Sequence, residues 1–217
     1  MVVEANVKIV PATRAHAPFV AWVMLAAGRS HLPLGVYDFL AGGDEANALR
    51  YTEALATTEV KHFGHYSTFL VAEVDGVPAA GMCGYFDEEY GPQIQLGMAE
   101  ANASLGRTQD EIAAGIQRAG SIFGALPDHL PNVWIVEHVA TRPEFRRRGL
   151  VERLMGEILE RGRERGATIA DIGVYINNDP AQRAYEKCGF AMVEEKRDAE
   201  FEAVYGSPGA RMLRRAL

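Results

Sequence analysis

Three consecutive arginines and a glycine, in the run Arg146-Arg147-Arg148-Gly149-Leu150-Val151, are the residues of this chain best suited to hold an anion. They stand between a strand-like run and a helical one. A loop that enters a helix exposes backbone N–H groups at the positive end of the helix dipole, where phosphate oxygens can accept without any side chain taking part. Gly149 lets a ligand approach the backbone closely, and the arginines add charge-assisted donors. The plain alternative is a basic helix start on a solvated face. Arginine is disfavoured by the dipole at a helix N-terminus, however, so three of them ask for an anionic partner. Neither a GxxxxGK[ST] P-loop nor a GxGxxG fingerprint occurs.

A second segment, Asn178-Asp179-Pro180-Ala181-Gln182-Arg183-Ala184-Tyr185-Glu186-Lys187-Cys188-Gly189-Phe190, reads as a capped helix. Asp179 is the expected N-cap and Pro180 the first helical position. Ala181, Ala184, Tyr185 and Cys188 share a face, which on its own makes Tyr185 a core aromatic with a satisfied hydroxyl. Upstream, Glu137 and His138 are adjacent on a strand. Period-two alternation sends them to opposite faces, so at most one faces a cleft unless a bulge intervenes. Metal chemistry has little support: Cys83 and Cys188 form no CxxC or Cys/His ligand spacing, and His62 with His65 is a bare HxxH, read as surface polar residues.

The elements that must position these residues follow from periodicity and punctuation. Lys8–Val10 reads as a first strand, and a helix opens at Thr13 and runs to Ala27. The passage Gly28–Gly43 breaks the pattern, and Asp44 caps a helix carrying Ala48, Leu49 and Leu55. Thr68–Val74 and Val77–Phe86 form a hairpin about Asp75-Gly76, whose turn residues tolerate positive φ. Thr108-Gln109-Asp110-Glu111 is a capping box for a helix with Ile112, Ile116, Ala119 and Phe123 on one face. Val133–Thr141 is a buried-type strand. The run Gly149–Arg165 carries Leu150, Leu154, Met155, Ile158 and Leu159 at helical spacing, and Ile169–Ile176 is the next strand. Ala191–Lys196 and Arg211–Arg215 complete the set. The whole is mixed α/β, in one domain over 1–217 with an added helical segment over about 87–132.

Taken together and in order, the two chemistry-bearing segments resemble the GNAT superfamily of acyl-CoA-dependent N-acetyltransferases. Arg146, Gly149 and Val151 stand at the fixed positions of its phosphate-binding motif, with Val151 where glycine or alanine is usual. Asn178, Ala181, Tyr185, Gly189 and Phe190 match the helical segment that follows, and Val139-Ala140-Thr141-Arg142-Pro143 resembles the strand end before the first motif. The resemblance implies a largely antiparallel mixed sheet flanked by helices, with two parallel strands splayed at its centre, here Val133–Thr141 and Ile169–Ile176. It implies acetyl-CoA as donor, held by Val139, Ala140 and Thr141 along its pantetheine arm. Residues Arg146, Arg147, Arg148, Gly149, Leu150 and Val151 are expected at the pyrophosphate, with Asn178 and Tyr185 beyond it. It also implies an amine-bearing acceptor, Tyr185 serving the departing sulfur, and Glu137, nine residues before Arg146, as the base; His138 is out of phase. A homodimer is a further expectation, and an acyl-CoA-binding sensor without turnover is the alternative.

Composition bounds the partners. With 22 basic and 29 acidic residues the net charge is −7, which repels nucleic acid and anionic membranes and favours a cation such as an amine. At 48% hydrophobic and 24% charged the chain can bury a sizeable core. The apolar run Phe19–Ala27 is too short to span a bilayer and reads as a buried first helix. Asn102-Ala103-Ser104 matches a glycosylation sequon by chance, and two distant cysteines fit a reducing, cytoplasmic setting.

Overall fold

A computed structural model describes residues 6–120 and 122–217, with the side chains of residues 123 and 124 outside that description. Among the described residues, seven strands form one sheet: β1 (Val7–Pro11), β2 (Phe69–Val74), β3 (Val77–Phe86), β4 (Trp134–Thr141), β5 (Ile169–Tyr175), β6 (Ala191–Arg197) and β7 (Gly209–Ala216). Their order is β1-β2-β3-β4-β5-β7-β6, and every neighbouring pair is antiparallel except β4 and β5. This is the mixed, largely antiparallel sheet expected above. The β2–β3 turn has Asp75 at φ 51° and Gly76 at φ 81°, so both turn residues are left-handed as the hairpin requires.

Helices cover both faces. On one lies α8 (Leu150–Glu164), which buries Leu150, Leu154, Met155, Ile158 and Leu159, the stripe its sequence spacing predicts. Each fully buried aliphatic side chain of this kind contributes roughly 1.5–3 kcal/mol. Trp134 of β4 lodges beneath it, fitted between Gly84 and Gly162, where an added methyl would come within 2.7 and 2.8 Å of the indole. The other face carries α1 (Ala17–Arg29), α2 (Val36–Ala41) and α3 (Glu45–Ala56). Helix α1 buries Phe19, Val20, Val23, Met24 and Leu25, as expected of the apolar first helix. No described helix is long and apolar enough to cross a membrane.

Segment 87–132 contributes α4 (Asp87–Tyr90), α5 (Ile94–Ser104), α6 (Gln109–Ala119) and α7 (Ile122–Ala125). The Thr108 capping box forms, with Glu111 N–H donating to Thr108 and Thr108 N–H to Glu111. Helix α6 ends at Ala119 because Gly120 takes φ 57°, so the stripe does not continue to Phe123, whose side chain lies outside the description. Three expectations need correction. The Gly28–Gly43 passage contains α2, capped by Asp38 accepting from Gly35 N–H and ending in left-handed Gly42. A further helix, α10 (Ala199–Tyr205), precedes β7, with Asp198 as its N-cap. His62 and His65 are buried rather than surface residues; an added methyl at Gly97 of α5 would overlap the His62 ring.

Candidate active site

The centre of the sheet opens because β4 and β5 stay paired only briefly. Trp134, Ile135 and Val136 pair with Ala170, Asp171 and Ile172, and no pairing continues beyond them. The edge of β4 toward β5 is therefore free over its second half. Arg142 N–H donates to Ala79 of β3 at 2.8 Å. By alternation, the backbone groups of Thr141 and Val139 point the other way, into the opening, while Ala140 sits opposite Gly81. Thr141 Oγ1 is buried without a hydrogen-bond partner among the described residues. A cavity of 1480 Å³ runs through the opening and is lined by β4, by the start of α8 and by α9 (Asp179–Lys187).

A bulge interrupts β4 where the opening begins. His138 adopts φ 51°, and the register against β3 slips between Gly81 and Cys83. Left-handed backbone at a non-glycine residue is sparsely populated and turns its side chain out of the regular alternation. Glu137 and His138 consequently lie on one side of the sheet, with His138 Nδ1 3.9 Å from Glu137 Oε2. The contingency allowed for a bulge is the one realised. Tyr85 on β3 donates to Glu137 Oε2 at 2.7 Å. Tyr37 of α2 meets His138 Nε2 at 2.8 Å, and Phe63 stacks on the His138 ring. Cys83 Sγ completes the group at 3.5 Å from His138 Nδ1.

Burial sets the protonation of this cluster. It lowers the affinity of His138 for a proton, and the neighbouring Glu137 only partly offsets that, so the imidazole is neutral. The Tyr85 and Tyr37 phenols and the Cys83 thiol are pushed well up, first by burial and then by the charge of Glu137. The Glu137 side chain is 41% exposed and faces the cavity. A solvated carboxylate backed by a buried phenol donor can bind a cation and accept a proton. Cys83, Glu137 and His138 lie close enough to suit a metal ion, although sequence spacing gave no sign of it.

The arginine loop enters α8 as the sequence requires. Arg147 has φ 61° and Gly149 φ 71°, both left-handed, and Gly149 is the N-cap of α8. The nearest atom to a methyl added at Gly149 would be Glu152 Oε2 at 4.0 Å, so the backbone there is open to a ligand. Arg146 Nε donates to Thr141 O, and Arg148 donates to Glu144 O while lying over the Phe145 ring at 5.2 Å. Those two guanidinium groups brace the loop. Arg147, Leu150 and Val151 line the cavity with them, and Val151 also packs against the core.

On α9, Tyr185 is buried against the core and lines the cavity. Its hydroxyl makes no hydrogen bond among the described residues, unlike the satisfied core tyrosine of the plain reading. Burial, with a smaller contribution from Cys188, raises its phenol, which stays protonated at neutral pH. The N-cap of α9 is Asn178 rather than Asp179: its Oδ1 accepts from Ala181 N–H at 3.3 Å, and Asp179 and Pro180 form the first turn. Asn178 Nδ2 donates to Ser30 at the end of α1, so Asn178 joins two helices at the cavity wall besides lining it. Tyr37, Phe63 and Tyr85 were missed; only the register of β3 against β4 reveals that Cys83 and Tyr85 share a face with Glu137.

Comparison with known proteins gives a consistent fold. A sequence model of the acetyltransferase (GNAT) family matches residues 41–190. An N-acetyltransferase from Staphylococcus aureus Mu50 superposes with TM-score 0.68 at 18% identity, covering 96% of this chain and 100% of that one. The yncA protein of Salmonella typhimurium, solved with its cofactor acetyl-CoA, gives 0.52 at 14% identity, over 97% and 94%. An agmatine N-acetyltransferase gives 0.57 at 15% identity, over 98% and 100%. No curated protein sequence matches this chain.

Proposed function

Since this chain belongs to the acetyltransferase (GNAT) family, and so is an acyltransferase with acetyl-CoA as donor, we propose that it acetylates a primary amine of a small molecule or protein. One observation carries the reading: the early end of the β4–β5 pairing leaves a free strand edge and the Glu137 carboxylate facing one cavity. The residues present fit the donor. Free backbone groups of Val139 and Thr141 suit an amide-bearing arm that adds to β4 as a strand would, with Ala140 forming the wall between them. The orphaned Thr141 Oγ1 suits a polar chain at that place. Open backbone from Arg147 to Val151, left-handed at Arg147 and Gly149 and standing at the head of a fifteen-residue helix, suits a pyrophosphate.

Acetyl-CoA supplies an activated thioester carbon, and the remaining work falls to side chains of this chain. Glu137 draws in the ammonium form of the acceptor and takes a proton, freeing the nitrogen lone pair for attack. The protonated phenol of Tyr185 donates to the sulfur as the C–S bond breaks. An acidic surface of net charge −7 favours a cationic acceptor over an anionic one. The test is incubation of the purified chain with radiolabelled acetyl-CoA and a panel of amines. Label should pass to an amine, in a form that resists thiol exchange. Donor binding with no transfer to any amine would instead identify a sensor.

A further inference from the structure

A histidine–carboxylate pair outside the groups used above stands at the wall of the same cavity, with His129 lining it and Asp171 buried behind. Asp171 on β5 is fully buried and held from two sides. Arg214 of β7 grips it with Nε at 2.6 Å from Oδ1 and its terminal nitrogen at 2.7 Å from Oδ2, and His129 Nδ1 lies 3.3 Å from Oδ2. Burial alone would raise this carboxyl, but the bonds from Arg214 and His129 outweigh it and keep Asp171 ionised. A fixed carboxylate holds the Nδ1 proton of His129 and leaves Nε2 as the basic nitrogen. Among the described residues no partner meets Nε2, and the imidazole, 29% exposed, lines the cavity.

Strand register places this pair on the side of the sheet that carries Glu137. Asp171 pairs with Ile135, and Glu137 is the next residue on that face of β4. The next residue on that face of β5 is Gly173, which has no side chain and nothing within 4 Å of where one would begin. The space between the His129–Asp171 pair and the opening of the strands is thus left clear.

We propose that His129, oriented by Asp171, is a second proton acceptor for the transfer; this rests on the amine-acetylation reading above. The chemistry calls for two acceptors. An ammonium acceptor must lose two protons to become an amide: one before its lone pair can form the C–N bond, and one once that bond has formed. Glu137 takes the first and His129 Nε2 the second. The electron pair of the breaking C–S bond leaves with sulfur, which receives the Tyr185 proton. Tyr185 then regains a proton from solvent while Glu137 and His129 release theirs, so one proton is released per turnover. Asp171 is a positioning residue, stabilising the imidazolium as it forms.

The experiment is chemical rescue. His129→Ala should lower kcat about 10²-fold, within the range for one proton-transfer group. Acetyl-CoA affinity should be unchanged, and added imidazole should restore much of the loss in a saturable way. His129→Gln, which can still donate to Asp171, guards against a loosened loop: it should keep the wild-type Tm and show the same fall in kcat. Wild-type turnover in either variant, or a fall in His129→Ala that imidazole does not restore, would overturn the role of His129. If the wild-type chain itself transfers acetyl to no amine, it is the underlying reading that fails.

Discussion

Tyr85 on β3 donates its phenol proton to Glu137 Oε2 on β4 across 2.7 Å, and this bond fixes how the carboxylate faces the cavity. A hydrogen bond to a charged group is worth about 1.5–3 kcal/mol. Tyr85→Phe should therefore lower kcat/KM for the acceptor about 10–100-fold. The ring that stacks on Phe63 is retained, so the fold should survive, with Tm lowered only by the several degrees that one such bond is worth. Steady-state kinetics with saturating acetyl-CoA test this; wild-type kcat/KM would mean that the carboxylate is held by something else.

Gly149 should control donor binding. Valine at φ 71° is strained, and its branched side chain would occupy the backbone approach that is now open. Gly149→Val should weaken acetyl-CoA binding by 10²-fold or more, measured by calorimetry. Arg147→Ala, which removes a side chain and leaves the amide in place, should cost no more than about 1–3 kcal/mol. Equal binding by Gly149→Val and the wild type would show that the pyrophosphate sits elsewhere.

Much of this was legible in the chain because it depends on local signals. The Asp75-Gly76 turn, the Thr108 box and the α8 stripe each follow from a few adjacent residues, and all appear where expected. Helix α2 was hidden because its six residues are too few to show a period, and its ends are fixed by Asp38 and Gly42 instead. Asp179 lost the cap to Asn178 because either side chain can serve, and packing against Ser30 selects between them. The Glu137–His138 arrangement depends on a one-residue slip against β3, which is a property of two strands rather than of either one. His129, Asp171 and Arg214 come from three distant parts of the chain, and only the β5–β7 register unites the last two.

His62 makes the fold acid-sensitive. Its Nε2–H donates to Leu55 O and its Nδ1 accepts from Gly64 N–H, so only the neutral ring satisfies both. Burial first, and then nearby His65, lower its pKa from 6.5 to about 4. Between those values the unfolded chain binds a proton that the folded chain refuses. The stabilisation is therefore complete above pH 6.5 and lost as pH falls toward 4, by on the order of 3 kcal/mol. His65 and His138 are lowered too and add to the same slope. Tm measured across this range should fall steeply in the wild type and less steeply in His62→Gln. Parallel curves would contradict the assignment.

The helices of segment 87–132 should shape the acceptor side of the cavity. Ile94, Met98 and Ile116 line it, and Ile116 is 55% exposed, so replacing it leaves the core alone. Ile116→Gln should change acceptor KM several-fold while acetyl-CoA affinity and Tm stay put. Deleting part of α5 is a poorer test, because Gly97, Ala101 and Asn102 are buried. Unchanged KM toward every acceptor would make α6 a cover for the sheet and no more.

The most direct measurement is the single-turnover rate of acetyl transfer by Tyr185→Phe at saturating acetyl-CoA and amine. The substitution removes one hydroxyl that has no partner among the described residues and leaves the packing of a buried ring. If the phenol supplies the proton to the leaving sulfur, the rate should fall about 10²–10⁴-fold with donor affinity and Tm unchanged. Transfer at the wild-type rate would mean that sulfur leaves without Tyr185, and the catalytic account given for this cavity would be wrong.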